Sequence, residues 1–165
     1  MTGGGFQIRP EKAQDVEAIA ALTTRAFAGN PHASGTEADI IARLRARGAL
    51  AVSLVAEAGG GLVGHVAFSP TNHPLWFALG PISVAPGLQK RGIGTALIGE
   101  GFAALRKQAA AGCILMGDPA YYGRFGFLVT PEKCPPGLPG EYFMTMALDG
   151  RLPDGLFEFH PAFFG

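Results

Sequence analysis

Between Val84 and Leu97 the chain reads Val84-Ala85-Pro86-Gly87-Leu88-Gln89-Lys90-Arg91-Gly92-Ile93-Gly94-Thr95-Ala96-Leu97. A strand end, a glycine-rich turn and a helix start follow one another directly. Such a turn aims unpaired backbone N–H groups at one point, at the positive end of a helix dipole, and that suits phosphate. Gly92 and Gly94 let an anion approach the backbone with no Cβ in the way. Lys90 and Arg91 add positive charge, and Thr95 adds a hydroxyl. A P-loop requires GxxxxGK[ST]; Gly87 and Gly92 have the spacing, but Ile93-Gly94 stands where Lys-Ser/Thr belongs. A dinucleotide fingerprint requires GxGxxG/A, and here Leu97 occupies the third glycine position after three strands have already passed. A helix start that merely needs glycine is the plain structural alternative.

The flanking pattern is that of a mixed α/β domain. Phe6 and Ile8 alternate with polar neighbours, which predicts a short strand over 6–10. Val16, Ile19, Leu22, Ala26 and Phe27 form one apolar stripe, with Asp15 at the helix start and Pro31 beyond its end. Thr36 opens a second helix with Asp39 three residues on, and Gly48 stops it. Residues 49–57 and 62–69 read as a hairpin about Gly59-Gly60. Trp76 to Val84 is a strand interrupted by Gly80-Pro81, which predicts a bulge or a splayed ladder. A third helix runs from Gly94, a buried strand covers 113–116, and a short helix starts at Asp118-Pro119 and ends at Gly126. Tyr142 to Leu148 alternates as a last strand. The order βααβββαβαβ predicts an α+β fold, a mixed central sheet flanked by helices, in a single domain over residues 1–165.

Composition excludes several classes. With 48% apolar and 16% charged residues the 165-residue chain has the makings of a packed core, unlike a disordered segment. Its 13 basic and 13 acidic residues cancel, so no overall field gathers nucleic acid or an anionic membrane. No apolar run approaches the roughly 18 residues of a membrane span. The first residues have neither a basic n-region nor an apolar h-region, and Cys113 and Cys134 lack CxxC spacing; both predict a reduced, cytoplasmic setting. His32, His65, His73 and His160 show no ligand spacing, so no metal site is expected. Cys113 lies in an apolar strand, where a thiol is inert.

Gln89-x-x-Gly92-x-Gly94 resembles motif A, Q/R-x-x-G-x-G/A, of the GNAT superfamily of acetyl-CoA-dependent N-acetyltransferases. The preceding Ile82-Ser83-Val84-x-Pro86 is similar to the hydrophobic-x-Val-x-Pro that leads into that motif. Tyr122-Gly123-Arg124-Phe125-Gly126-Phe127 resembles the family's Tyr-x-x-hydrophobic-Gly-Phe segment. Gly64 to Ser69, Leu79-Gly80-Pro81, Gly117-Asp118-Pro119-x-Tyr121-Tyr122 and His160 to Phe163 look, more narrowly, like the bacterial YhbS-like predicted acetyltransferases.

The resemblance implies an acyltransferase that binds acetyl-CoA in a V-shaped gap between strands 76–84 and 113–116. Pantetheine would bond to the backbone of Ile82, Ser83 and Val84. The pyrophosphate would lie on the N–H groups of Gln89, Lys90, Arg91, Gly92, Ile93, Gly94 and Thr95. Tyr122 aligns with the tyrosine that protonates the CoA sulfur, and Tyr121, one residue out of register, is expected to pack. The reaction implied is direct attack by a primary amine of a small molecule or peptide. A non-catalytic CoA- or nucleotide-binding module is the alternative. For the general base, Glu57, His65, His73 and a water chain remain open. The acceptor pocket is expected from 27–35, 69–73 and 138–143, segments with aromatics and few acids. A peptide N-terminus, a small amine and an amino-acid analogue all stay open. The aromatic tail, with Phe157, Phe159, Phe163 and Phe164, either closes the monomer's own core or is partly covered in a homodimer.

Overall fold

The structure is a computed structural model that describes residues 5–31, 33–149 and 151–165. Among these residues seven strands form one sheet in the order β1-β2-β3-β4-β5-β7-β6. They are β1 (Gln7–Pro10), β2 (Val52–Ala58), β3 (Gly61–Pro70), β4 (Trp76–Val84), β5 (Gly112–Met116), β6 (Leu128–Val129) and β7 (Phe143–Ala147). The helices are α1 (Val16–Phe27), α2 (Glu37–Ala46), α3 (Ile93–Lys107) and α4 (Pro119–Tyr122). Every neighbouring pair is antiparallel except β4 and β5. That is the expected mixed sheet flanked by helices, with one strand more than the sequence order. β6 has two residues, both exposed, and carries no alternation to read.

One face of the sheet is covered by α3. Leu54, Ala56, Val66 and Phe68 alternate toward Leu97, Ile98, Phe102 and Leu105 in one buried cluster. The approach is close at two glycines: a Cβ on Gly101 would lie 2.3 Å from Phe68 Cε1, and one on Gly64 would lie 2.8 Å from Ile93 Cγ2. This packing fixes where the N-terminus of α3 points.

The other face is covered by α1, α2 and the tail. Ile19 and Ile41 close over Val55. Phe157 is fully buried against Trp76, Ile114 and Phe143, and Ala162 packs against Ile40 and Leu44. Arg43 Nε donates to the Ala162 carbonyl at 2.8 Å, tying the tail to α2. Phe159 and Phe163 are half-buried, and Phe164 is 69% exposed. The tail is not a strand; it ends in a single 3-10 turn over Pro161–Phe163.

Two local expectations are corrected. Thr36 makes no side-chain cap on α2. Ser34 does the work: its N–H and Oγ reach Glu37 Oε2 at 2.8 and 3.1 Å. The spacing of Ile40, Ile41 and Leu44 puts Arg45 mostly outside, but it is half-buried and paired with Glu11 through two bonds of 2.9 Å.

Candidate active site

The parallel pairing of β4 with β5 covers Trp76↔Gly112, Phe77↔Cys113 and Ala78↔Ile114, and then stops. Gly80-Pro81, joined by a cis peptide, follows at once. The β3–β4 register shifts at the same place, between the Val66↔Ile82 and Phe68↔Leu79 pairs. The expected splay is therefore present. From Leu79 to Val84, β4 is paired on its β3 side and presents an open edge to β5. An open edge offers N–H and C=O groups to an extended chain. Ile82 and Val84 are half-buried beside the gap, whereas the Ser83 side chain is buried on the α1/α2 face, in register with His65.

The glycine-rich turn ends at Gly92, the N-cap of α3, with φ 87°. Lys90 also has positive φ, at 65°. No side chain caps this helix, so its first N–H groups stay open to a ligand. A cavity of about 600 Å³ lies over them, lined by Val84, Gln89, Lys90, Gly92, Gly94 and Thr95. Arg91 is exposed beside it, and the Ile93 side chain is turned into the core at 5% exposure. Six of the residues named for the turn and strand end thus share one cavity, while Ile93 offers it at most a backbone N–H.

Two lining residues were missed. Tyr121, expected only to pack, reaches this cavity together with Arg124. A Cβ on Gly94 would lie 3.3 Å from the Tyr121 hydroxyl oxygen. Arg124 Nε donates to the Tyr121 carbonyl at 2.8 Å, and its guanidinium lies 4.5 Å from the Tyr121 ring centroid. The Tyr–Arg spacing of three on a short helical turn was the available signal.

Tyr122 faces elsewhere. It lines a second cavity of about 380 Å³ with Leu79, Ile82, Met116 and the tail aromatics Phe159 and Phe163. Asp118 starts α4 by accepting from the Ala120 N–H at 2.9 Å, and Pro119 follows at the first helical position. The Tyr121 and Tyr122 rings meet edge to face, with centroids 4.9 Å apart. Burial, then Tyr121 and Asp118, push the Tyr122 phenol up to about 12. It is a protonated donor at neutral pH. Consecutive residues of α4 therefore serve two cavities, one at the α3 N-terminus and one under the tail.

The second cavity also contains Glu37, with Ile40 one helical turn further on. None of the three side chains considered as a base lines it. Glu57 pairs with Arg9 at 3.2 Å. His73 Nε2 is hydrogen-bonded to the Leu156 carbonyl oxygen at 3.0 Å. His65 is fully buried, 2.8 Å from Ser53 Oγ, and burial pushes it down to about 4. Phe27 and Leu138 reach the cavity as expected, but residues 69–73 do not. Glu37 lies just beyond the 27–35 segment, and its placement needs the α1–α2 fold to be visible.

Cys113 is fully buried, and burial raises its thiol well above the ordinary range. Among the described residues no group of three or more His, Cys, Asp or Glu could hold a metal ion, and no helix is long and apolar enough to cross a membrane.

Residues 16–127 match the acetyltransferase (GNAT) family. The chain is 32% identical over 167 aligned positions to the uncharacterized N-acetyltransferase YhbS of Escherichia coli K12, covering 94% of this chain and 97% of that protein. A crystal structure of a GNAT family acetyltransferase from Brucella melitensis in complex with acetyl-CoA superposes with a TM-score of 0.86 at 41% identity, covering 96% of this chain and 97% of the other. Escherichia coli YhbS in complex with CoA gives the same TM-score at 30% identity, with coverage of 100% and 96%. With an open β4 edge, an uncapped glycine-rich helix start and matches along nearly its whole length, the chain belongs to the GNAT family of acetyltransferases.

Proposed function

We propose that this chain works as a single-domain, cytoplasmic N-acetyltransferase that moves the acetyl group of acetyl-CoA to a primary amine. The observation that carries the reading is the fork at α4, where Tyr121 belongs to the cavity at the α3 N-terminus and Tyr122 to the cavity beneath the tail. A cosubstrate lying along the open β4 edge joins the two. Its pantetheine bonds to the backbone of Ile82, Ser83 and Val84, as an added strand would. Its pyrophosphate rests on the turn from Gln89 to Thr95, held by Lys90, Arg91 and the first N–H groups of α3. The complexes of the Brucella melitensis protein with acetyl-CoA and of YhbS with CoA support this placement.

The reaction needs the amine and thioester held together, the carbonyl polarised and the leaving thiolate protonated. The amine nitrogen attacks the carbonyl carbon, the C–S bond breaks, and Tyr122 gives its phenolic proton to sulfur. The acceptor is a small molecule or a peptide amine. The exposed Phe164 at the end of the tail supports a homodimer contact, and light scattering giving a mass near 17 kDa at all dilutions would refute that assembly. The test of the activity is CoA release from acetyl-CoA across a panel of amines, with mass detection of the acetylated product. Tight acetyl-CoA binding without product from any amine would instead make the chain a binding module.

A further inference from the structure

We propose that the acceptor is an apolar monoamine: an ammonium group held by Glu37, attached to a hydrocarbon or aryl body that fills the cavity beneath the tail. This rests on the acetyl-transfer reading and names the substrate class for the same site. Among the described residues, Glu37 is the sole acid in the lining of that cavity, and no lysine, arginine or histidine lines it. The remaining surface is mostly hydrocarbon, with Phe27, Ile40, Leu138, Phe159 and Phe163 around the carboxylate.

Charge and polarity discriminate between the acceptor classes. A polyamine carries two or more cations, and one carboxylate leaves the others unpaired in an apolar pocket. A free amino acid carries its own carboxylate, which would meet Glu37 rather than a cation, and its burial without a partner is costly. A peptide N-terminus brings amide groups that the aromatic walls do not satisfy. An arylalkylamine or alkylamine has one charge and an apolar remainder, which matches the lining group for group. The cavity, about 380 Å³, has the size of a small-ligand site.

Glu37 is built to hold a cation in place. Its Oε2 accepts from both the Ser34 N–H, at 2.8 Å, and the Ser34 hydroxyl, at 3.1 Å. Both bonds fall on one oxygen, so the other can take an ammonium proton. Glu37 and Tyr122 line the same cavity, so an amine held by Glu37 lies in the cavity that the phenol faces. The substrate ammonium gives one proton to Glu37, which passes it to solvent. The freed lone pair forms the C–N bond, and the C–S bond breaks. Sulfur takes the Tyr122 proton, and the second proton leaving nitrogen restores the phenol. The sum is ammonium plus thioester giving amide, thiol and one released proton.

The wild-type protein tests this with three acceptors: 2-phenylethylamine, phenylalanine and spermidine. The expected result is a kcat/KM for 2-phenylethylamine at least about 10-fold above either of the others, the scale of one lost charged hydrogen bond. Calorimetry of 2-phenylethylamine on the CoA-loaded protein should show binding that Glu37→Gln weakens about 10- to 100-fold. Acetyl-CoA affinity should be unchanged in Glu37→Gln, and Glu37→Asp should recover part of the amine binding. Preference for phenylalanine or spermidine overturns the proposal, as does equal amine binding by Glu37→Gln and wild type. If wild type binds neither acetyl-CoA nor CoA, the acetyl-transfer reading fails and takes the proposal with it.

Discussion

The Cδ2–Cε2 edge of the Tyr122 ring lies close against Gly117. A Cβ built on Gly117 would stand 2.5 Å from Tyr122 Cε2 and 2.8 Å from Cδ2. Bonded geometry leaves no room for an alanine there unless the ring or the backbone moves. Gly117 directly precedes Asp118, whose side chain caps α4, so the turn that starts the helix also admits its tyrosine. Gly117 is thus a positioning residue for the phenol that faces the second cavity.

Gly117→Ala should therefore reduce kcat while leaving acetyl-CoA binding in place, because the cavity at the α3 N-terminus does not include position 117. A displacement of about 1 Å at a reacting group costs on the order of 10²-fold. Steady-state kinetics at saturating amine, with calorimetry for acetyl-CoA, separates the two effects. An unchanged kcat would mean that the ring's position is irrelevant to turnover.

Tyr122→Phe keeps the ring and removes the proton. Turnover should fall by about 10²–10⁴-fold with little change in acetyl-CoA affinity. The pH profile gives a second readout. Burial, with Tyr121 and Asp118, holds the phenol at about 12, so wild-type kcat should show no alkaline fall from this group up to about pH 10. A fall centred well below pH 10 that disappears in Tyr122→Phe would contradict the raised value.

Gly94→Asp tests the other cavity. Its new Cβ would begin 3.3 Å from the Tyr121 hydroxyl, and its carboxylate would face the anion expected on the α3 N-terminus. Acetyl-CoA affinity should drop at least about 10-fold in a folded variant, as calorimetry reads it. Equal affinity would move the pyrophosphate off this turn.

Much of this architecture was legible because it depends on periodicity and on glycine and proline. The α1 stripe, the hairpin at Gly59-Gly60, the splay at Gly80-Pro81 and the uncapped start of α3 all leave local marks. What escaped depends on contacts that periodicity, glycine and proline do not mark. Glu37 reads as a first-turn acid on a surface helix, and only the tail, more than a hundred residues on, makes it part of an apolar cavity. Tyr121 and Tyr122 are neighbours in sequence, and only the fold shows that the first ring reaches Gly94 and the second lies against Gly117. Ser34 displaced Thr36 as the residue that organises the start of α2, because its N–H and hydroxyl both reach Glu37. β6 was invisible for the opposite reason: two exposed residues pair with β7 through backbone alone.

His65 sets the last prediction, which concerns stability. It is fully buried, with Nε2 2.8 Å from Ser53 Oγ, while the Ser53 hydroxyl donates to Glu11. Because Ser53 has one proton and gives it to Glu11, His65 Nε2 is the donor in that pair. Burial lowers the His65 pKa to about 4; Glu11 opposes the shift and Arg45 adds to it. The unfolded chain has a histidine near 6.5, so below that pH it binds a proton that the folded protein refuses. Stability is fully present above about pH 6.5 and declines as pH falls toward 4, by at most about 1.4 kcal/mol per pH unit from this residue. His65→Leu, which leaves the Ser53–Glu11 bond its donor, should flatten the decline between pH 6.5 and 4 in urea denaturation. Parallel curves for the two proteins across that window would show that the imidazole takes up its proton without unfolding.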